Sequence, residues 1–390
     1  MATLIRKCKS RQEDPCTNNR CKHPWTVRYR EPGGRSGRQR EKSFPTQTAA
    51  NNFKAQVEHD VRAHTYVDPD KGKITVRAYW EEWTGRRHVK DTTAYRNDKS
   101  FERHIVPAIG RRSLVGVTAA DLERISATMK AGGLSVATFW SVGKPLRAMF
   151  RQAVTDKRII SSPFTGAVLP KLPNKAVDET ELPTFEDVAR IARGMKPEFS
   201  VGIWLMAGCG LRIGEAMAVR ESDFRVVAGT RVLRVRRQVQ KVKGTDGKLK
   251  TALCPLKHRE EGEWRDVPVP SMVWDHVQWH AKRFGTRDDG TLFRTKAGDL
   301  VTPDWYREDW YKAVPRVGTG PTLASTAKWT PHDLRHYFAS TCLLNGLPIL
   351  SVSRWLGHGS ITETADTYGH LTPDALDTAV SVLDGVLTAA

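Results

Sequence analysis

Residues 161 to 183, SSPFTGAVLPKLPNKAVDETELP, carry four prolines. Proline fixes φ and offers no backbone N–H, so neither a helix nor a central strand runs through such a stretch. The segment reads as an extended, semi-rigid linker. It is the strongest boundary in the chain, and it divides 390 residues into blocks that must each bury a core of their own.

The charge is equally one-sided. The net charge is +19, and the basic residues recur in every section. That balance favours a polyanionic partner over a merely soluble basic protein. There is no long apolar run and no basic amphipathic helix with a wide apolar face, so no membrane partner is expected. The start, MATLIRKCKSRQED, lacks the apolar region of a secretory signal. Six cysteines are too few for a disulfide framework, and Cys209, Cys254 and Cys342 read as small core hydrophobes. The expected compartment is the reducing cytoplasm.

Up to about residue 64, 14 Lys/Arg face 6 Asp/Glu. Cys8, Cys16, Cys21 and His23 fall within sixteen residues, a donor set that can form a tetrahedral zinc site; loosely ordered thiols are the alternative, since no pair shows Cys-x-x-Cys. Trp25 to Arg30 alternates as a strand, Pro32-Gly33-Gly34 and Ser36-Gly37 turn, and Arg38 to Phe44 returns. Thr46 or Thr48 caps a helix through about His64 with Ala49, Phe53 and Val57 as its apolar stripe. Arg28, Arg30, Arg38 and Arg40 cluster on the strands, which suits contact with DNA; a basic hairpin that aids solubility is the plainer reading. A polar linker, Val67 to Lys73, follows.

Residues 74 to 160 form a helical block with helices over Ile74 to Trp83, Thr92 or Thr93 to Ile105, Ala119 to Met129 and Ser135 to Ala153. Thr118 and Asp121 resemble a capping box. On the last helix Lys144, Arg147 and Arg151 share one side, opposite Phe139, Val142, Leu146 and Phe150. Such a face can grip a DNA backbone or simply be solvated.

After the linker, Thr184 with Asp187 opens a helix, Val201 to Cys209 reads as a buried one, and Leu211-Arg212-Ile213-Gly214-Glu215 begins another. An arginine in a first turn opposes the helix dipole, so a salt bridge to Glu215 or a functional need must hold it there. Arg231 to Gln240 reads as a strand, Asp246-Gly247 as a hairpin turn, and Trp264 to Val269 as a strand. Lys243 and Lys257 sit on the turns of this small sheet. Lys312 to Lys328 reads as a mobile loop. Then WTPHDLRHYFASTCLLNGLPILSVSRWLGHGSITETADTYGHL, from Trp329 to Leu371, brings His332 and Arg335 onto one helical face, then His358 and Tyr368. A phenol, two imidazoles and a guanidinium can hold and attack a phosphodiester. An amphipathic helix over Asp374 to Leu387 ends the chain.

In this order, Gly-Leu-Arg-Ile-Gly-Glu, a lysine near a hairpin, His-Asp-Leu-Arg-His, Leu-Gly-His and Tyr-Gly-His, the sequence resembles the tyrosine site-specific recombinases of the phage integrase family. The resemblance covers about residues 184 to 375, and its N-terminal cysteines are similar to those of some integrases from actinobacterial elements. The implied architecture is multidomain and mainly α with small β-sheets. It comprises a sheet-plus-helix arm-binding unit (1–66), a helical core-binding domain (74–160), the linker (161–183) and a mixed α+β catalytic domain (184–390). The resemblance implies that Tyr368 is the nucleophile and forms a 3′-phosphotyrosine. Arg212 and Arg335 clamp the non-bridging oxygens. His332 assists in acid–base work, His358 donates a hydrogen bond to the phosphate, and Glu215 orients Arg212. Lys257, with Lys243 in reserve, protonates the 5′-oxygen. His336, His258, His276, His280 and His370 are expected to be surface or supporting groups. The implied partners are double-stranded DNA at core and arm sites, three further copies in a homotetramer, and DNA-bending or directionality proteins. The implied catalysis needs no cofactor and no ATP. A type IB topoisomerase shares this chemistry, and a non-catalytic DNA-binding protein of the same fold is the other rival.

Overall fold

The computed structural model describes residues 2–6, 23–33, 36–89, 91–173, 176–243, 249–257, 259–320 and 322–372, together with 380, 383, 384 and 387. The chain divides into two compact units, Met1–Pro173 and Asn174–Ala390.

The first unit holds two hydrophobic cores. Strands β1 (Thr3–Arg6), β2 (Trp25–Arg30) and β3 (Gln39–Phe44) make an antiparallel sheet in that order. Helix α1 (Gln47–Arg62) lies on it, started by the Thr46 hydroxyl accepting from the Ala49 N–H. Phe53 meets Tyr29 edge-on at 5.8 Å and Phe44 at 5.0 Å. Strand β1 was not foreseen in the sequence.

All four strand arginines have partners within this unit. Arg40 is bound by Glu31, Asp68 and Asp70, and its side chain is only 14% exposed. Arg28 pairs with Glu41 across the sheet at 2.8 Å, and Arg30 donates to the Gly37 carbonyl. Arg30 and Arg38 are the exposed members of the four, and the Arg38 side chain, 69% exposed, lies 3.7 Å from Asp70.

Helices α2 (Val76–Gly85), α3 (Asp91–His104), α4 (Ala119–Ala131) and α5 (Val136–Thr155) build the second core. Trp80 stacks on Phe101 at 4.1 Å, and the Thr118–Asp121 capping box is formed. Lys144 and Arg151 are exposed along α5, whereas the Arg147 guanidinium lies over Trp140 and Phe164. The proline-bearing stretch is not a free spacer throughout. Phe164, Ala167 and Leu169 pack on the helical core, and the Trp140 indole donates to the Pro170 carbonyl.

The second unit has one core. It contains α6 (Phe185–Gly194), α7 (Pro197–Cys209), α8 (Ile213–Ala216), β4 (Phe224–Val227), β5 (Thr230–Val235), β6 (Arg237–Lys243), β7 (Leu249–Pro255), β8 (Arg265–Pro268), α9 (Ser271–Phe284), α10 (Pro303–Ala313), α11 (Leu323–Thr326), α12 (Pro331–Leu344), α13 (Ile349–Leu356) and α14 (Ile361–Tyr368). Helix α7 is buried almost all round, as its unbroken apolar run Val201–Ala207 requires, and it packs between α12 and α9.

The expected strand over Arg231 to Gln240 is two strands. The chain leaves the β4-β5-β8 sheet at exposed Arg236 and enters the separate β6-β7 hairpin. The stretch expected to be a mobile loop contains α11, capped by Thr322, and a bridge between Arg316 and Ala327. The helix expected over 374–387 lies mostly outside the described residues. Among the described residues, no helix is long and apolar enough to cross a membrane.

Candidate active site

Two left-handed glycines shape the site. Gly210 ends α7 at φ 63°, and a Cβ there would come within 2.5 Å of the Phe338 ring. The turn delivers Arg212 as the residue preceding α8. Gly357 ends α13 at φ 65°, where a Cβ would lie 3.0 Å from the Arg265 side chain. The carbonyls at this end of α13 carry the negative pole of the helix and face three guanidiniums.

Arg335, on α12 and 1% exposed, donates to the Gly210 and Leu356 carbonyls, both at 2.7 Å. Arg212 donates to the same Leu356 carbonyl at 3.3 Å, to the Gly357 carbonyl at 3.4 Å and to Glu215 at 3.1 Å. Arg265, on β8, donates to the Trp355 carbonyl at 2.6 Å. It also forks onto both oxygens of Glu215 at 3.1 and 2.6 Å.

Burial alone would raise the Glu215 carboxyl, but Arg265, Arg212 and Arg335 outweigh it and hold it at about 2. Burial and then the Arg212 charge lower Arg335 to about 9, so it stays protonated at neutral pH. The opposed dipole of an arginine at the start of α8 is thereby explained. Arg212 belongs to this charge cluster rather than to its own short helix.

Three more side chains border the guanidiniums. His358 directly follows Gly357, and its Nδ1 lies 2.7 Å from the hydroxyl of the fully buried Thr364. Burial, then Arg335 and Arg212, push its pKa down to about 3, so the ring is neutral. Tyr368 ends α14 and is 2% exposed. Burial pushes its phenol up to about 12 against the pull of Arg335 and Arg212. His332 lies at the surface of the site with its ring against His336, 4.7 Å between centroids and nearly perpendicular. Desolvation, then His336, Arg335 and Arg212, lower its pKa.

The structure thus brings Arg212, His332, Arg335, His358 and Tyr368 together. It does not bring in Lys257, which is exposed on the turn after β7 with no partner among the described residues, while its neighbour Leu256 is in the core. The side chain of Lys243 lies outside the described residues, as do Cys8, Cys16, Cys21 and His258. Among the described residues, no three His, Cys, Asp or Glu side chains gather as a metal site.

Two residues of the cluster, Arg265 and Thr364, were not singled out in the sequence, and a third, His336, was expected to be a surface or supporting group. Arg265 is the second partner of Glu215, Thr364 holds His358, and His336 Nδ1 lies 2.6 Å from the Tyr368 hydroxyl. The signal for His336 was available: it is four residues after His332 and so shares its helical face.

Residues 184–374 match the model of the phage integrase family. A XerC-like tyrosine recombinase of Caldanaerobacter subterraneus subsp. tengcongensis is 26% identical over 308 residues, covering 73% of this chain and 76% of the relative. The integrase of Mycobacterium phage L5 is 25% identical over 292 residues, covering 73% of this chain and 72% of the relative. The fold is similar to that of the Tn1549 transposon integrase in complex with a circular intermediate DNA. That match has a TM-score of 0.60 and 20% identity, over 80% of this chain and 99% of that one. It is also similar to lambda integrase in a tetramer bound to a Holliday junction, with a TM-score of 0.50 and 15% identity over 86% of this chain and 94% of that one.

Proposed function

We propose, from the match of residues 184–374 to the phage integrase family and from its tyrosine recombinase relatives, that the chain cuts and rejoins double-stranded DNA at short specific sites to integrate or excise a mobile element. It is a DNA breaking–rejoining enzyme. In the proposed step the Tyr368 oxygen attacks the scissile phosphorus, a 3′-phosphotyrosine bond forms and the P–O5′ bond breaks. Lys257 supplies the proton that the 5′-oxygen takes up. Arg212 and Arg335 bind the non-bridging oxygens as charge grows on them, a role that planar forked donors fill better than lysine. His358 donates to the same phosphate, and His332 assists proton movement beside it. The bond energy is kept in the covalent intermediate, so the step calls for neither ATP nor a catalytic metal.

The observation that carries this reading is the shared Leu356 carbonyl. It holds two guanidiniums from α12 and from the start of α8 side by side, next to His358. Residues 1–66 serve as the arm-binding unit, 74–160 as the core-binding domain, 161–183 as the linker and 184–390 as the catalytic domain. The working assembly is a homotetramer on two duplexes in the cytoplasm, as lambda integrase forms a tetramer on a Holliday junction, with DNA-bending or directionality proteins as accessories. Cys8, Cys16, Cys21 and His23 are retained as ligands of a structural zinc on the chemistry of three thiols and an imidazole alone.

The test is Tyr368→Phe on a nicked suicide substrate. The covalent protein–DNA adduct should vanish while binding persists. An undiminished adduct removes Tyr368 as the nucleophile.

A further inference from the structure

Tyr368 is the last residue of α14, and its hydroxyl reaches one side chain among the described residues. That side chain is His336 on α12, with Nδ1 at 2.6 Å and the two rings 5.6 Å apart. We propose that His336 is the catalytic base that takes the phenolic proton of Tyr368 as its oxygen attacks phosphorus. The inference rests on the reading of Tyr368 as nucleophile and adds a residue to it.

Four observations support it. First, the contact is direct. His332 stacks edge-on against His336 and makes no hydrogen bond to Tyr368 among the described residues, so it stands one ring away from the reacting oxygen. Second, Tyr368 is 2% exposed and its hydroxyl is already hydrogen-bonded to this imidazole, so the nearest acceptor for its proton belongs to the protein. Third, the helix separates the two tasks. Arg335 points at the Gly210 and Leu356 carbonyls, and the next residue, about 100° further round, points at α14. Fourth, burial lowers the His336 pKa against the raising effect of Asp333, and Arg335 adds to the lowering, so the imidazole is neutral and able to accept. With its own proton on Nε2, Nδ1 accepts the Tyr368 O–H.

The step balances. As the Oη–P bond forms, the phenolic proton passes to Nδ1, and the electron pair of the breaking P–O5′ bond takes a proton from Lys257. In religation the 5′-hydroxyl attacks and gives its proton back to the Lys257 amine, the Oη–P bond breaks, and the imidazolium returns its proton to the leaving phenolate. A phenol held near 12 needs such an acceptor, because only a minute fraction ionises unaided at neutral pH.

The experiment measures single-turnover cleavage by the full chain on two nicked substrates, one with the natural 5′-oxygen and one with sulfur at that bridging position. Sulfur leaves without protonation, so it rescues a lost acid and not a lost base. Two variants are used. His336→Asn keeps an acceptor beside the phenol but cannot carry its proton, and His336→Phe removes both. We expect both to bind the site as the unsubstituted chain does and to cleave either substrate about 100-fold or more slowly, while Lys257→Ala recovers on the sulfur substrate. A fluorinated tyrosine at position 368 that ionises near neutral pH should restore much of the loss in His336→Asn. In the unsubstituted chain it should shrink the solvent isotope effect on the sulfur substrate, where the phenolic proton is the one in motion.

An Asn variant that cleaves at the unsubstituted rate, sulfur rescue of the His336 variants, or an unchanged isotope effect overturns the proposal. If Tyr368→Phe still forms the adduct, the underlying reading fails instead. If Tyr368→Phe is dead and the His336 variants are not, only the base assignment fails.

Discussion

Replacing Glu215 by Gln tests how the site holds three arginines so close together. The carboxylate is 1% exposed, and it accepts from both terminal nitrogens of Arg265 and from the side chain and backbone N–H of Arg212. The amide keeps the shape, removes the charge and turns one acceptor into a donor facing donors. Two routes give the magnitude. Removing one member of a buried ion pair costs about 3–5 kcal/mol. Holding the carboxyl at about 2 instead of its ordinary 4.5 corresponds to about 3 kcal/mol in favour of the ionised form. We therefore expect a loss of about 3–4 kcal/mol, seen as a fall of about 1–2 M in the urea midpoint. Hydrogen exchange of the Gly210–Glu215 and Trp355–His358 segments reads this locally in the full chain.

The sign with pH follows from the depressed carboxyl. Its contribution is complete above pH 4.5 and is lost as pH falls towards 2. The unsubstituted chain should approach the Gln variant through that window. Arg265→Met placed on Glu215→Gln should recover at least about 1 kcal/mol, because it removes a stranded charge. Strictly additive losses, or a single-variant loss below about 1 kcal/mol, would refute the charge-cluster argument.

Arg38→Ala should lower the slope of log affinity against log salt by about one for arm DNA. Arg40→Ala should leave that slope unchanged and instead lower the thermal midpoint by about 4 °C or more, since Arg40 is bound to Glu31, Asp68 and Asp70. Thr364→Val should slow cleavage about 10-fold with binding intact, by leaving His358 Nδ1 without the hydroxyl that sets its tautomer, and Thr364→Ser should restore the rate.

What could be read in the sequence was what depends on neighbours along the chain. The caps at Thr46, Ser135 and Thr184 were legible because each accepts from an N–H three residues on, and the one at Thr118 because its hydroxyl and N–H donate to Asp121, also three residues on. Arg212, Arg335, His358 and Tyr368 were legible because each sits in a short motif. Arg265 was not. Its function exists only once β8 lies beside α8, fifty residues away along the chain. Strand β1 was missed because four residues are too few to show alternation, and its partner β2 lies beyond the cysteine stretch. The arginines of β2 and β3 were read by charge alone, and charge does not tell a DNA contact from an internal pair. His336 is hidden for the same kind of reason. Two histidines on one helical face look alike until the position of α14 decides which of them meets the tyrosine.

The geometry also explains why this many positive charges persist without DNA. Glu215 neutralises one of the three guanidiniums. The Trp355, Leu356 and Gly357 carbonyls answer the rest, and a helix C-terminus amounts to only about half a negative charge. The cluster therefore stays under-neutralised by more than one charge, and that surplus is part of what keeps His332 and His358 unprotonated in the free protein. In the proposed step, an anionic phosphodiester entering beside Arg212 and Arg335 would supply the missing negative charge. It is drawn by the same imbalance that the carbonyls only partly relieve. As it binds, the repulsion on the imidazoles falls and their proton affinity rises. Acid–base capacity thus increases when a substrate is present, and no side chain has to exchange its partner for another residue of the protein.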